Sequence, residues 1–218
     1  MPKIAAHQQY KLNDGTIVPG VTTVLNLLAK PALIYWAWDL GRQGIDFRKA
    51  RDKAGDIGTI AHEMIETDIK GGKFDPSEYA PNLVEKAENA YLAWLQWQDN
   101  FELTTLGSEI QLVSEKYKFG GTLDWIVKNK DGQIWLIDFK SSKDIYDEMH
   151  YQIAAYEQLW NENHPDQTIS QCHILRLGKE NGTFSHQKFN DLAKEWSIFH
   201  HLLSIWQLKK GMVTKQGV

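Results

Sequence analysis

Apolar residues recur along this chain with two different periods, and the change of period divides it into regions. Spacings of three and four residues mark helices, and alternation marks strands. His7 to Val18 reads as a small hairpin turning at Asn13-Asp14-Gly15. Thr22 is placed to cap a short helix ending near Lys30, where Pro31 restarts the chain. A helix over about 32–43 carries Leu33, Ile34, Trp36, Ala37 and Leu40. The next, over 57–70, stops at Gly71-Gly72, and a long helix comes after it over about 82–100. The period then drops to two, predicting strands at about 107–115, 120–128 and 134–140. A helix over about 146–162 ends before His164-Pro165, and strands near 170–177 and 183–188 flank Lys179-Glu180-Asn181-Gly182. Asn190 or Asp191 can cap a last helix carrying Leu192, Trp196, Phe199, Leu203 and Trp206. Helices, then a meander, then a helix and more strands read as an α/β (α+β) fold with a helix-flanked sheet. The 218 residues fit one domain: an N-terminal elaboration (1–56), a core (57–190) and a C-terminal helix (190–210).

The segments 121–128 and 134–140 carry the first chemistry. Asp138 and Lys140 are two apart, so on a strand they point the same way. A two-residue Asp-Gly turn would pair Asp124 with Phe139 and put Asp138 on the other face. A three-residue loop, Lys130-Asp131-Gly132 with Gly132 left-handed, shifts the register by one and sets Asp124 opposite Asp138. One face then reads Leu123, Trp125, Val127, Trp135, Ile137, Phe139, all apolar. The other reads Thr122, Asp124, Ile126, Leu136, Asp138, Lys140. Only the second register separates a core face from a chemical face. Two carboxylates beside an ammonium suit a divalent metal at a phosphodiester. The same residues also describe an ordinary hairpin with two solvated acids and a lysine.

Further residues fall in order around this hairpin. Gly58-Thr59-Ile60-Ala61-His62 opens a helix, with Glu66 one turn beyond His62. Glu109 lies on the preceding strand, and Ser141, Ser142, Gln152 and Tyr156 come after it. In sum, the order is G-x-x-x-H, a lone Glu, G-x-x-D, D-x-K-[S/T] and Q-x-x-x-Y. This order, over about residues 55–160, resembles the RecB-like branch of the PD-(D/E)XK nuclease superfamily. Val18-Pro19-Gly20-Val21-Thr22-Thr23 is similar to its phage members.

The resemblance implies a restriction-endonuclease-like mixed sheet with flanking helices and a helical N-terminal elaboration. It implies Mg²⁺ or Mn²⁺ held by His62, Asp124, Asp138 and the Phe139 carbonyl, with Lys140 acting on water or phosphate. Glu109 is expected as a water-mediated ligand or a partner of the lysine. Gln152, Tyr156, Ser141 and Ser142 are expected along the phosphate path. The implied activity is a metal-dependent deoxyribonuclease. Water attacks in line, the 3′-oxygen leaves, and a 5′-phosphate remains. An exonuclease of phage or bacterial DNA recombination, replication or repair is the first expectation. A structure-specific endonuclease is the alternative, as is a non-catalytic DNA-binding or partner-docking module on the same fold.

Composition narrows this picture. Cys172 is the only cysteine, so a four-cysteine iron–sulfur cluster cannot form from this chain and no intrachain disulfide is expected. No G-x-x-x-x-G-K-[S/T] phosphate loop is present. No apolar run approaches a membrane span, and Met1 to Gln8 do not read as a signal or transit peptide. These features suit the cytoplasm of a bacterial host cell. The net charge of −4 argues against a broad basic surface, so cations should concentrate along one channel. DNA is the expected partner, with a recombinase or single-strand annealing protein as a second. Of nine tryptophans, Trp94, Trp97, Trp196 and Trp206 sit at apolar helix positions, while Trp36 and Trp38 are candidates for base stacking.

Overall fold

The structure, a computed structural model, describes residues 9–215, without the side chains of 212–215. His7 and Gln8 of the expected hairpin lie outside the described residues. The rest of that hairpin pairs β1 (Tyr10–Lys11) with β2 (Ile17–Val18), and Gly15 supplies a positive φ of 85° at the turn. The helices α1 (Val21–Leu25), α2 (Pro31–Arg42), α3 (Phe47–Ile69) and α4 (Pro81–Gln98) come next. The antiparallel meander is β3 (Leu103–Ser114), β4 (Phe119–Asn129) and β5 (Ile134–Lys140). Helix α5 (Asp147–Asn163) then carries the chain across to β6 (Gln171–Leu177), which is parallel to β5. β7 (Phe184–Phe189) and α6 (Ala193–Lys215) complete it.

The five strands stand in the order β3-β4-β5-β6-β7, with β5–β6 the only parallel pair among them. Helices α3 and α4 cover one face, where Ile60, Ile65, Trp94 and Trp97 meet Trp125, Val127, Ile137 and Phe139. Helices α1, α5 and α6 cover the other, where Ile153, Leu159 and Phe199 meet Phe119, Leu123, Ile126 and Leu136. Each such side chain contributes about 1.5–3 kcal/mol when fully buried. A mixed sheet with helices on both faces is the expected fold class.

Two boundaries differ from expectation. Helix α3 begins at Phe47, ten residues before the predicted start, with Asp46 accepting from the amides of Arg48 (2.8 Å) and Lys49 (3.3 Å). Its first turns are exposed and polar, so they carry no apolar stripe. At α1 the N-cap is Gly20, without a side-chain hydrogen bond, and Thr22 lies inside the helix. The start of α6 is as expected, and of the two candidate caps it is Asp191 whose Oδ1 accepts from Ala193 N, at 2.9 Å.

The β4–β5 register is the expected one: Val127 faces Trp135 and Trp125 faces Ile137 across Lys130-Asp131-Gly132, with Gly132 at φ 80°. The predicted faces need one correction. Leu123 packs with Ile126 and Leu136 in the α5 layer, while Trp125 and Val127 pack against α3 and α4. Simple alternation therefore slips by one residue at Asp124. The partner strand is irregular at the same level, where Glu109 has a left-handed φ of 52° between the pairs Ser108↔Trp125 and Ile110↔Leu123.

Candidate active site

The site forms where β4 and β5 stop pairing. The last paired residues are Trp125 and Ile137, and the next residues on each strand are Asp124 and Asp138. Asp124 substitutes side chain for ladder: its Oδ2 accepts the Phe139 amide at 2.7 Å. That bond fixes the carboxylate at the parting of the strands.

His62 arrives from α3. The helix can come close because Gly58 lacks a side chain, and a Cβ there would meet Ser141 Oγ at 2.6 Å. One turn later His62 Nδ1 lies 3.9 Å from Asp124 Oδ2, and its ring meets the edge of Phe139 at 5.9 Å. Glu109 comes from β3. A non-glycine residue in the left-handed region costs about 1–2 kcal/mol, and here it sits directly across from Asp124. Ligand atoms of His62, Glu109 and Asp124 all lie within 4.8 Å of one another. Two donors sharing one ion at about 2.0–2.2 Å each stand at most about 4.4 Å apart, so the His62–Asp124 pair is already at sharing distance.

Asp138 stands outside that trio. It is 1% exposed, and its Oδ2 forms an ion pair with Lys140 Nζ at 2.5 Å. Neither Asp138 oxygen has a hydrogen bond of regular geometry among the described residues. Burial raises its pKa, with Asp124 adding to the rise and Lys140 opposing it. Glu109 is pushed up to about 7, first by burial and then by the charges of Asp124 and Glu66. Glu66 and Lys70 pair with each other nearby; that leaves Asp124, Asp138 and Glu109 with the Lys140 ammonium, two of the three made weaker acids by burial, a site that gains from a cation. The residues thus fit a divalent ion.

The remaining candidates divide. Tyr156 is buried, its hydroxyl accepts from Gln152 Nε2 at 2.7 Å, and burial with Asp138 and Asp124 raises its pKa well above 10. Gly121 lets this tyrosine in, since a Cβ there would stand 2.7 Å from its ring. Ser141 lies under Gly58, while Ser142 Oγ donates to Asp144 O at 2.6 Å in a local turn. The Phe139 amide and ring are engaged as described, and its carbonyl remains a proposed ligand. Trp38 is 62% exposed, but Trp36 is half-buried with its ring against Phe47. Sequence reasoning missed Tyr10, whose hydroxyl shares a 2.9 Å hydrogen bond with Thr122 Oγ1 next to Asp124. Its only signal was the adjacent turn at Asn13-Asp14-Gly15.

Residues 35–204 match a family model described as the PD-(D/E)XK nuclease superfamily. No curated protein matches the chain. Among solved structures, a Eubacterium rectale protein is similar at a TM-score of 0.49, with 12% identity over 74% of this chain and 69% of that one. An alkaline exonuclease from Laribacter hongkongensis is similar at a TM-score of 0.37, with 13% identity over 76% of this chain and 92% of that one.

Proposed function

The chain belongs to the PD-(D/E)XK nuclease superfamily, and from that premise we propose that it is a metal-dependent deoxyribonuclease acting on DNA ends. The observation that carries this reading is the convergence of His62, Glu109 and Asp124 beside the buried Asp138–Lys140 pair. His62, Asp124, Asp138 and the Phe139 carbonyl would hold Mg²⁺ or Mn²⁺, with Glu109 as a further oxygen donor. The bound ion supplies electrostatic stabilisation of the charge that develops on the phosphate. Lys140 orients the attacking water or neutralises a phosphate oxygen. Attack on phosphorus breaks the bond to the 3′-oxygen, which leaves with a proton and yields a 5′-phosphate. Tyr156, Gln152 and Ser141 line the approach of the phosphate.

An exonuclease fits a module without a motor motif, working in DNA recombination, replication or repair of a phage or bacterium, in the bacterial cytoplasm. A recombinase or annealing partner fits that setting. Among the described residues no helix is long and apolar enough to cross a membrane. The test uses end-labelled linear, circular and single-stranded DNA with Mg²⁺, Mn²⁺ or chelator. Metal-dependent release of nucleotides from linear ends, with circles spared, is expected. Cleavage of circles would make it an endonuclease, and inertness toward all three would overturn the enzyme reading.

A further inference from the structure

Helix α2 has no buried residue, yet it carries several of the largest apolar side chains in the chain. Ile34, Tyr35 and Trp38 are 68%, 72% and 62% exposed. Spacings of three and four put Tyr35, Trp38, Asp39 and Arg42 on one face. The Arg42 guanidinium stands over the Trp38 ring at 4.8 Å. On the other side, Trp36 meets Phe47 edge-on at 5.2 Å, fixing α2 to the first turn of α3. Lys179 Nζ donates to Ala54 O at 3.1 Å and ties the same stretch of α3 to the β6–β7 turn. Helix α3 then runs on to His62. At 1.5 Å per residue, Phe47 and His62 are about 22 Å apart along its axis.

An exposed aromatic and apolar face of this size calls for an occupant. The charge identifies its kind. Residues 30–53 contain six Lys or Arg against three Asp, in a chain whose net charge is −4. Arg51 is paired with Asp52 at 2.7 Å, so the excess rests on Lys30, Arg42, Arg48, Lys49 and Lys53 against Asp39 and Asp46. Cations interleaved with flat rings match phosphates interleaved with bases, provided the bases are unpaired. A second copy docked symmetrically would set this basic stretch, residues 30–53, against itself.

We propose that the Tyr35–Trp38–Arg42 face of α2 is a stacking platform that grips single-stranded DNA beside the end of α3 remote from His62. This deepens the nuclease reading and rests on it for the identity of the strand. Binding is measured by anisotropy of fluorescein-labelled oligo(dT) in chelator, where no cleavage occurs. The Tyr35→Ala/Trp38→Ala double variant is expected to bind about ten-fold more weakly or worse, because each stacked base contributes substantially. Trp38→Phe, which keeps a ring, should bind nearly as wild type, and blunt duplex of the same length should be little affected. Trp38→Gln alone shows the same direction should the double variant fail to fold. Unchanged affinity for oligo(dT), an equal loss on duplex, or a dimer that falls apart in the variant while DNA binding persists would each overturn the platform. A protein that binds oligo(dT) through these rings yet cleaves no DNA with metal would instead overturn the nuclease reading alone.

Discussion

Two buried polar clusters lie on neighbouring strands, and they are built in opposite ways. On β6 and β7, His173 Nδ1 and His186 Nε2 are 2.8 Å apart, and Trp97 Nε1 donates to His186 Nδ1 at 2.9 Å. The indole N–H fixes the tautomers: His186 must carry its proton on Nε2 and give it to His173 Nδ1. The Trp135 ring covers His173 at 4.4 Å. On β5, one residue past Ile137, which pairs with His173, Asp138 has only the Lys140 ammonium, and Asp124 faces Glu109 and His62. The imidazoles are joined to each other and to Trp97 by bonds within the protein, and the one buried nitrogen left without a partner among the described residues, His173 Nε2, carries no charge. The carboxylates sit where strands part, and their charge is not closed. Burial of polar groups is therefore no sign of function by itself; what separates the two clusters is charge, since the bonded imidazoles are held neutral while the carboxylates gather where a cation can join them.

Breaking the open cluster should give the largest effect, on rate. Asp124→Asn or Asp138→Asn is expected to lower turnover by about 10²–10³-fold or more, the scale of losing one preorganised electrostatic group. Calorimetry should show weakened metal binding in both, and full affinity in Asp138→Asn would remove it from the ligand set. Lys140→Ala should lose a similar factor in rate while keeping metal affinity. His62→Ala should weaken metal affinity less, because the carboxylates remain.

Breaking the histidine cluster should give the mirror image. His186→Leu strands the Trp97 N–H and His173 Nδ1, costing about 1–3 kcal/mol for each unsatisfied group in denaturant unfolding. Turnover at saturating metal should stay within about two-fold. Adding metal at about 100 times its Kd should stabilise the wild type by about 2.7 kcal/mol. Asp124→Asn should gain much less, and His186→Leu should gain as much as wild type.

The smallest and sharpest contrast is in pH. Burial, with the nearby Lys188 charge, holds His173 down to about 3 and His186 to about 4, below the ordinary 6.5. Unfolded imidazoles then take up protons that the folded ones refuse. Their contribution is complete above pH 6.5 and declines as pH falls, by up to about 1.4 kcal/mol per unit for a buried histidine. Glu109 runs the other way. Its pKa is shifted up to about 7, so its contribution is present below 4.5 and lost as pH rises to 7. Metal-free unfolding across this range should therefore steepen on its rising side in Glu109→Gln. A profile unchanged by that substitution would reject the shift.

Much of this was legible in the chain because it is local. The apolar alternation of β5 and the glycine of the Lys130-Asp131-Gly132 loop set the register of the hairpin, and the structure keeps it. Gly58 and Gly121 read as motif positions, and the structure gives their reason: closeness to Ser141 and Tyr156. The first turns of α3 were not legible, since exposed polar residues leave no periodic trace.

The sequence by itself determined which residues are candidates for the chemistry, in what order, and on which strands and helices they ride, because period and turn chemistry are properties of neighbours. Only the tertiary structure decided which of them meet. It placed Glu109 rather than Asp138 in the trio with His62 and Asp124, by way of a left-handed backbone that no local preference favours. It moved Leu123 into the other layer, and it left the aromatic face of α2 uncovered. These outcomes depend on contacts between segments far apart in the chain. Pairing and packing there override the local rules, and a strained or exposed arrangement persists because the surrounding fold holds it.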